Sequence, residues 1–157
     1  MTDPRFDWDQ AAPGVTEALA RLDGLAARGL DPTLAQLVRL RVSHLNGCAY
    51  CVELHGRQAR TAGESAERLA SLAGPGAATS GLFSEREAVA LELAEWMARL
   101  AERGPLPEEV YQRAATVLPI AEVARLVAVA TTTNAWNRLA TAAALPPRRT
   151  DPSRAVP

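Results

Sequence analysis

The sequence predicts an all-α fold, and three observations carry that expectation. Apolar residues recur at helical spacing along nearly the whole chain, and no alternating run reads as a strand. Hydrophobic residues make up 48% of the 157 residues but aromatics only 4%, so Ala and Leu must fill the interior. Small, strong helix formers of that kind suit closely packed helices. Helix breakers (Gly29, Asn46-Gly47, Gly63, Gly104-Pro105) fall between the periodic segments. The length suffices for one domain with a proper core.

The elements follow in order. A first helix is expected over 15–27, stopped by Gly29. Asp31-Pro32-Thr33 opens a second, with Pro32 suited to a first turn. Leu34, Leu37, Val38, Arg41, Val42 and Leu45 form its stripe and read as core. Asn46-Gly47 breaks it, and a third helix carries Cys48 and Cys51 to about residue 62, before Gly63. A short helix is expected over 64–72 and a loop over 73–81, around Gly74-Pro75-Gly76. Ser84 caps a long helix, with Glu87 three residues on completing a capping box. That helix is expected to reach residue 103. Pro107 starts another, with Glu108 and Glu109 complementing the dipole of its first turn. The last helix begins at Pro119 or Ile120 and runs to about 144. We divide the chain into an N-terminal helical segment (1–33), a core domain (34–145) and a Pro- and Arg-rich tail (146–157) expected to be disordered.

The chemistry concentrates at Cys48-Ala49-Tyr50-Cys51 and His55. The chain has only these two cysteines. At this spacing they can close a small disulfide ring on one helical turn and so hold two electrons. His55, four residues after Cys51, shares its helix face and can hold or take the thiol proton. The Asn46-Gly47 break puts the pair near a helix N-terminus, where the dipole favours a thiolate. A structural staple is disfavoured, because so short a loop removes little chain entropy. Zinc is disfavoured too, since no second CxxC or HxxxH supplies the remaining ligands.

Net charge is -1, which gives no electrostatic case for nucleic acid or an anionic membrane. All 17 basic residues are Arg, which excludes Schiff-base chemistry on a lysine. The start of the chain has neither a basic run nor an apolar one, and no stretch approaches a membrane span. The expectation is a cytoplasmic protein, where dithiol pairs are mostly catalytic or redox-sensing.

The run Leu37-Val38-Arg39-Leu40-Arg41-Val42-Ser43-His44-Leu45-Asn46-Gly47-Cys48-Ala49-Tyr50-Cys51-Val52-Glu53-Leu54-His55, extended through Arg57, Ala59 and Arg60, resembles a known pattern. It is similar to the core of the AhpD-like alkylhydroperoxidase branch of the carboxymuconolactone decarboxylase family. Leu82-Phe83-Ser84-Glu85-Arg86-Glu87 and Thr133-Asn134-Ala135-Trp136-Asn137-Arg138-Leu139 fit the same branch. The resemblance implies an AhpD-like helical fold with a CxxC helix and a thiol-dependent peroxidase. It implies that Cys51 attacks the peroxide, that Cys48 resolves the sulfenic acid, and that His55 relays protons. It also implies a dithiol reductant, such as a lipoyl-type carrier, and a trimer or hexamer, with the hexamer favoured. No metal or organic cofactor is expected.

One departure stands out. The family commonly has a Glu twelve residues before the first cysteine; here that position is Gln36, and an amide is no base. The relay is therefore weakened, or His44 or Glu87 supplies the acceptor, or the chain is a poor peroxidase. The cap explains Glu87 without any catalytic role. His44 also fits as a helix-end residue, and Tyr50 reads as a packing residue. The cluster Asn134, Trp136, Asn137 and Arg138 reads as subunit packing. A decarboxylase-like enzyme and a thiol redox sensor remain rivals on the same fold.

Overall fold

The computed structural model describes residues 3–147. Among these the fold is all-helical: α1 (Trp8–Ala11), α2 (Val15–Ala27), α3 (Pro32–Leu45), α4 (Ala49–Thr61), α5 (Ala66–Ser71), α6 (Glu85–Ala98), α7 (Leu100–Arg103), α8 (Glu108–Val117) and α9 (Ile120–Ala142). A 3-10 turn, Ala77–Thr79, interrupts the expected loop. No helix among the described residues is long and apolar enough to cross a membrane.

Helix α9 is the central member, packed against α2, α3 and α6, while α3 also holds α4. One apolar cluster joins α2, α3, α6, α8 and α9 through residues such as Val38, Leu93, Leu126 and Val129. A second gathers Leu37, Leu40, Ala59, Leu72 and Leu91 beneath α4 and α5. Each fully buried Leu contributes about 1.5–3 kcal/mol. A small third cluster holds Cys48, Cys51 and Ala140. It ties the CxxC turn to the end of α9.

Caps set the boundaries. The Asp31 carboxylate accepts from the Leu34 amide at 2.8 Å and fixes the start of α3. Its end is a Schellman reversal: Gly47 lies at φ +65°, its N–H donates to His44 O, and the Cys48 N–H donates to Ser43 O. This turn aims α4 back along α3.

Arg41, placed in the apolar stripe by its spacing, is buried with partners in hand. It donates to Glu95 Oε1 at 2.9 Å and to the carbonyls of Leu72 and Gly74, both at 2.8 Å. A guanidinium so satisfied anchors the 73–81 segment to α3 and α6.

Three expectations are corrected. The long helix from Ser84 breaks at Arg99, whose φ of -122° and ψ of 29° leave the helical region, and α7 follows. The Arg103 guanidinium then lies 5.1 Å over the Trp96 ring. The last helix stops at Ala142, two residues early. Helix α1 was not expected at all; Asp7 caps it, accepting from the Asp9 amide at 2.8 Å. The proposed tail lies outside the described residues from 148 onward.

Candidate active site

Cys48 is the N-cap of α4, and Cys51 sits one turn inside it. The two are joined as a disulfide, with their Cα atoms 5.3 Å apart. Both residues are only 3% exposed. The Cys51 amide donates to Cys48 Sγ at 3.3 Å. In the reduced form that donor and the start of a 13-residue helix favour a thiolate at this turn.

A cavity of about 770 Å³ opens beside the pair. Cys51, His55, Gln36, Arg39 and Asp23 line it, whereas Cys48 does not. Chain reversal at Asn46-Gly47 is what lays α4 beside α3 and brings Cys51 and His55 to Gln36 and Arg39.

His55 Nδ1 lies 3.2 Å from Gln36 Oε1 and 3.1 Å from Gln58 Oε1. Both are carbonyl oxygens, so Nδ1 carries the proton and Nε2 keeps a lone pair. Burial drives the His55 pKa down to about 4; the Gln58 bond and Asp23 oppose this, and the Arg39 charge adds to it. The imidazole is therefore neutral at physiological pH and able to accept a proton.

Arg39 Nη2 donates to Asp23 Oδ2 at 2.9 Å, and Thr132 donates to Asp23 Oδ1 at 2.7 Å. This pairs a cation and a carboxylate from two helices on the cavity wall. Sequence reading did not single out either residue. Arg39 follows Gln36 by three positions on α3, so its place on the same face was open to inference. Asp23 is on α2 and becomes a neighbour only through the docking of α2 on α9.

Glu87 and His44 do not reach the cavity. Glu87 Oε2 accepts from the Ser84 amide at 2.8 Å and its Oε1 from Arg68 at 2.5 Å. Burial alone would raise the Glu87 pKa, but Arg68 and Ser84 outweigh it and hold the carboxyl below its usual range. His44 lies in the last turn of α3, and burial, then Arg41, lower its pKa.

The polar cluster on α9 is also internal. Asn46 Nδ2 donates to Asn134 Oδ1 and Asn137 Oδ1, each at 2.8 Å, and Asn137 donates to Ser43. These amides lock the reversal before Cys48 to α9. Trp136 and Tyr50 line the cavity. Asn134 and Asn137 therefore find their partners within the chain, whereas Trp136 is half-buried and Arg138 is exposed.

Fold and site together define a helical domain built around a redox-capable CxxC turn facing a histidine-bearing cavity. The chain belongs to the carboxymuconolactone decarboxylase family, whose model matches residues 13–96. It is 31% identical over 113 residues to the uncharacterized protein YdfG of Bacillus subtilis, covering 72% of this chain and 75% of that one. A solved protein of unknown function from Agrobacterium tumefaciens, suggested to be an antioxidant defence protein AhpD, superposes with a TM-score of 0.86. That match has 24% identity and covers 94% of this chain and 99% of the other. An uncharacterized peroxidase-related protein from Ralstonia eutropha, described as an alkylhydroperoxidase AhpD core, gives 0.77 at 16% identity, over 89% and 74% of the two chains. At such identities the structural likeness establishes the AhpD-like fold and nothing further.

Proposed function

We propose that this protein is a thiol-dependent peroxidase that reduces hydroperoxides through a Cys48/Cys51 dithiol–disulfide cycle, with His55 as proton relay. One observation carries this reading: Cys51 opens into the cavity it shares with His55, while Cys48 lies behind it within bonding distance. An attacking thiol needs access, and a resolving thiol needs only its partner.

In the first step His55 Nε2 takes the Cys51 proton. The thiolate attacks the distal oxygen of the hydroperoxide, the O–O bond breaks, and the alkoxide leaves as the alcohol with that proton. Cys51 is now a sulfenic acid. Cys48 attacks its sulfur, forming the disulfide and releasing water. An external dithiol, of lipoyl type, reduces the disulfide and becomes oxidised in turn. This cycle requires no metal, flavin or nicotinamide.

The working assembly in this reading is a homo-oligomer, a hexamer in preference to a trimer. Val15, Leu22 and Leu25 on α2 and Ile120 on α9 leave large apolar side chains exposed that subunit contact would cover. Light scattering at micromolar concentration tests this; a monomeric mass refutes it.

The decisive experiment is peroxide consumption by purified protein with several reductants, reduced lipoamide among them. Steady turnover dependent on both cysteines supports the reading. A single oxidation per molecule with no re-reduction favours a redox sensor, a reading that the Gln36 amide in the relay position supports. Conversion of a lactone-ring carboxylate without cysteine dependence would support the decarboxylase alternative, which the intact CxxC counts against.

A further inference from the structure

Residues 4–9 run across the C-terminal end of α9 and are tied there. The Arg5 amide donates to Ala143 O at 2.8 Å, the Arg5 guanidinium to Ala142 O at 3.2 Å, and Trp8 Nε1 to Leu139 O at 3.1 Å. Ala142 O and Ala143 O lie at the helix end, where carbonyls run out of partners within the helix, and Leu139 O takes the indole N–H in addition to the Ala143 N–H. The segment is therefore a strap with a defined position.

The strap's aromatic rings face the Cys51 cavity. Phe6 and Trp8 pack edge to face with ring centroids 4.9 Å apart, and both line the cavity with Tyr50 and Trp136. Four of the chain's seven aromatic residues (three Trp, two Tyr, two Phe) thus meet at one cavity, in a protein whose core is Ala and Leu. Phe6 remains 38% exposed, so its ring is not consumed by core packing. The charges on this wall are Asp7, Asp9 and Asp23 against Arg39 alone, and Arg39 already pairs with Asp23. An anionic ligand finds no free cation there.

We infer that the strap is the wall of a binding subsite for an uncharged aromatic group, and that Phe6 and Trp8 set the substrate specificity of the site. The specificity statement rests on the peroxidase reading; the binding statement does not. A ring seated between Phe6, Trp8 and Trp136 gains offset or edge contacts that a small peroxide cannot make.

The test compares wild type with Trp8→Ala and Phe6→Ala. The first measurement is the single-turnover rate of thiol oxidation by cumene hydroperoxide relative to hydrogen peroxide. The second is binding of cumyl alcohol, unreactive and uncharged, by ligand-observed NMR, with tert-butanol as the non-aromatic comparison. We expect the rate ratio to fall about tenfold in each variant, and the cumyl alcohol affinity to fall by a similar factor. A ratio and an affinity both within twofold of wild type overturn the inference. Where wild type oxidises with neither peroxide, the peroxidase reading fails and binding alone decides. Cumyl alcohol bound in preference to tert-butanol, and weakened in the variants, then upholds the subsite. Equal or undetectable binding overturns it. Phe6 donates no side-chain hydrogen bond, so its variant keeps the test sound if Trp8→Ala does not fold.

Discussion

Gln36 Oε1 lies 3.2 Å from His55 Nδ1, so an amide occupies the place from which a carboxylate would hold the imidazole proton. The amide fixes the ring's orientation and tautomer but adds no charge to support an imidazolium. That leaves burial in control of the His55 pKa, which falls to about 4.

Gln36→Glu should therefore raise the His55 pKa and make the imidazole a stronger base. The same carboxylate would also raise the Cys51 thiol pKa by like-charge repulsion. The two effects oppose each other. A positioned base contributes on the order of 10²–10⁴-fold, and His55 is already present, so we expect a gain of about tenfold, or roughly 1.4 kcal/mol of barrier. Single-turnover sulfenic acid formation across about pH 6–9 measures it. No gain at any pH, with the fold intact, removes Gln36 from the relay.

The placement of Cys51, and not Cys48, on the cavity wall predicts unequal variants. Cys51→Ser should abolish peroxide consumption, because the only sulfur on the cavity wall is gone. Cys48→Ser should still react once per molecule and stop with Cys51 as sulfenic acid. Intact-mass spectrometry with a sulfenic acid trap reads both. If Cys51→Ser keeps the first attack and Cys48→Ser loses it, the roles are reversed.

His55 also links stability to pH. Its folded pKa, about 4, lies below the unfolded value of 6.5, so the unfolded chain binds more protons between them. Stability then rises with pH across that window. The contribution, about 3 kcal/mol at full size, is complete above pH 6.5 and is lost as pH falls towards 4. Carboxylates titrate in the same range, so the comparison is with His55→Gln. Denaturant unfolding of the two proteins should show a stability difference that shrinks between pH 7 and about 4. A difference independent of pH would mean that His55 is not buried as a neutral base.

Much of the fold was legible because its punctuation is local. Asp31-Pro32, Asn46-Gly47, Gly63 and the Ser84–Glu87 box each act within four residues, and the helix ends they mark fall where the sequence implies. The CxxC turn and His55 were legible for the same reason. What the sequence hid depends on docking between distant segments. Asp23 meets Arg39 and Thr132 only when α2 packs on α9. Asn134 and Asn137 looked like polar residues seeking a subunit, but their partner is Asn46, some ninety positions away. The Phe6–Trp8 strap has no periodicity to announce it, since four helical residues are too few to show one.

The end of α9 was misjudged because its stop signal is an unexpected residue, and this yields a last prediction. Ala144 lies at φ +53°, the one non-glycine in the left-handed region among the described residues. Its N–H donates to Thr141 O and the Leu145 N–H to Ala140 O, the same Schellman reversal that Gly47 makes after α3. An L-residue there costs about 1–2 kcal/mol in backbone strain. Ala144→Gly relieves it but gives the unfolded chain more freedom, which takes back about 0.4–1 kcal/mol. The net expectation is a gain near 0.5 kcal/mol, or about 1–2 °C in Tm for a chain of this size. Ala143→Gly, one residue earlier, should do the opposite. Ala143 sits at φ -77° in the ordinary helical region and is fully buried, so the change adds entropy to the unfolded chain and removes a packed methyl. Thermal unfolding of both variants, at fixed redox state, separates the two positions. If Ala144→Gly destabilises as much as Ala143→Gly, the left-handed turn is not what ends α9. The strap's anchor at Ala142 and Ala143 would then need another explanation.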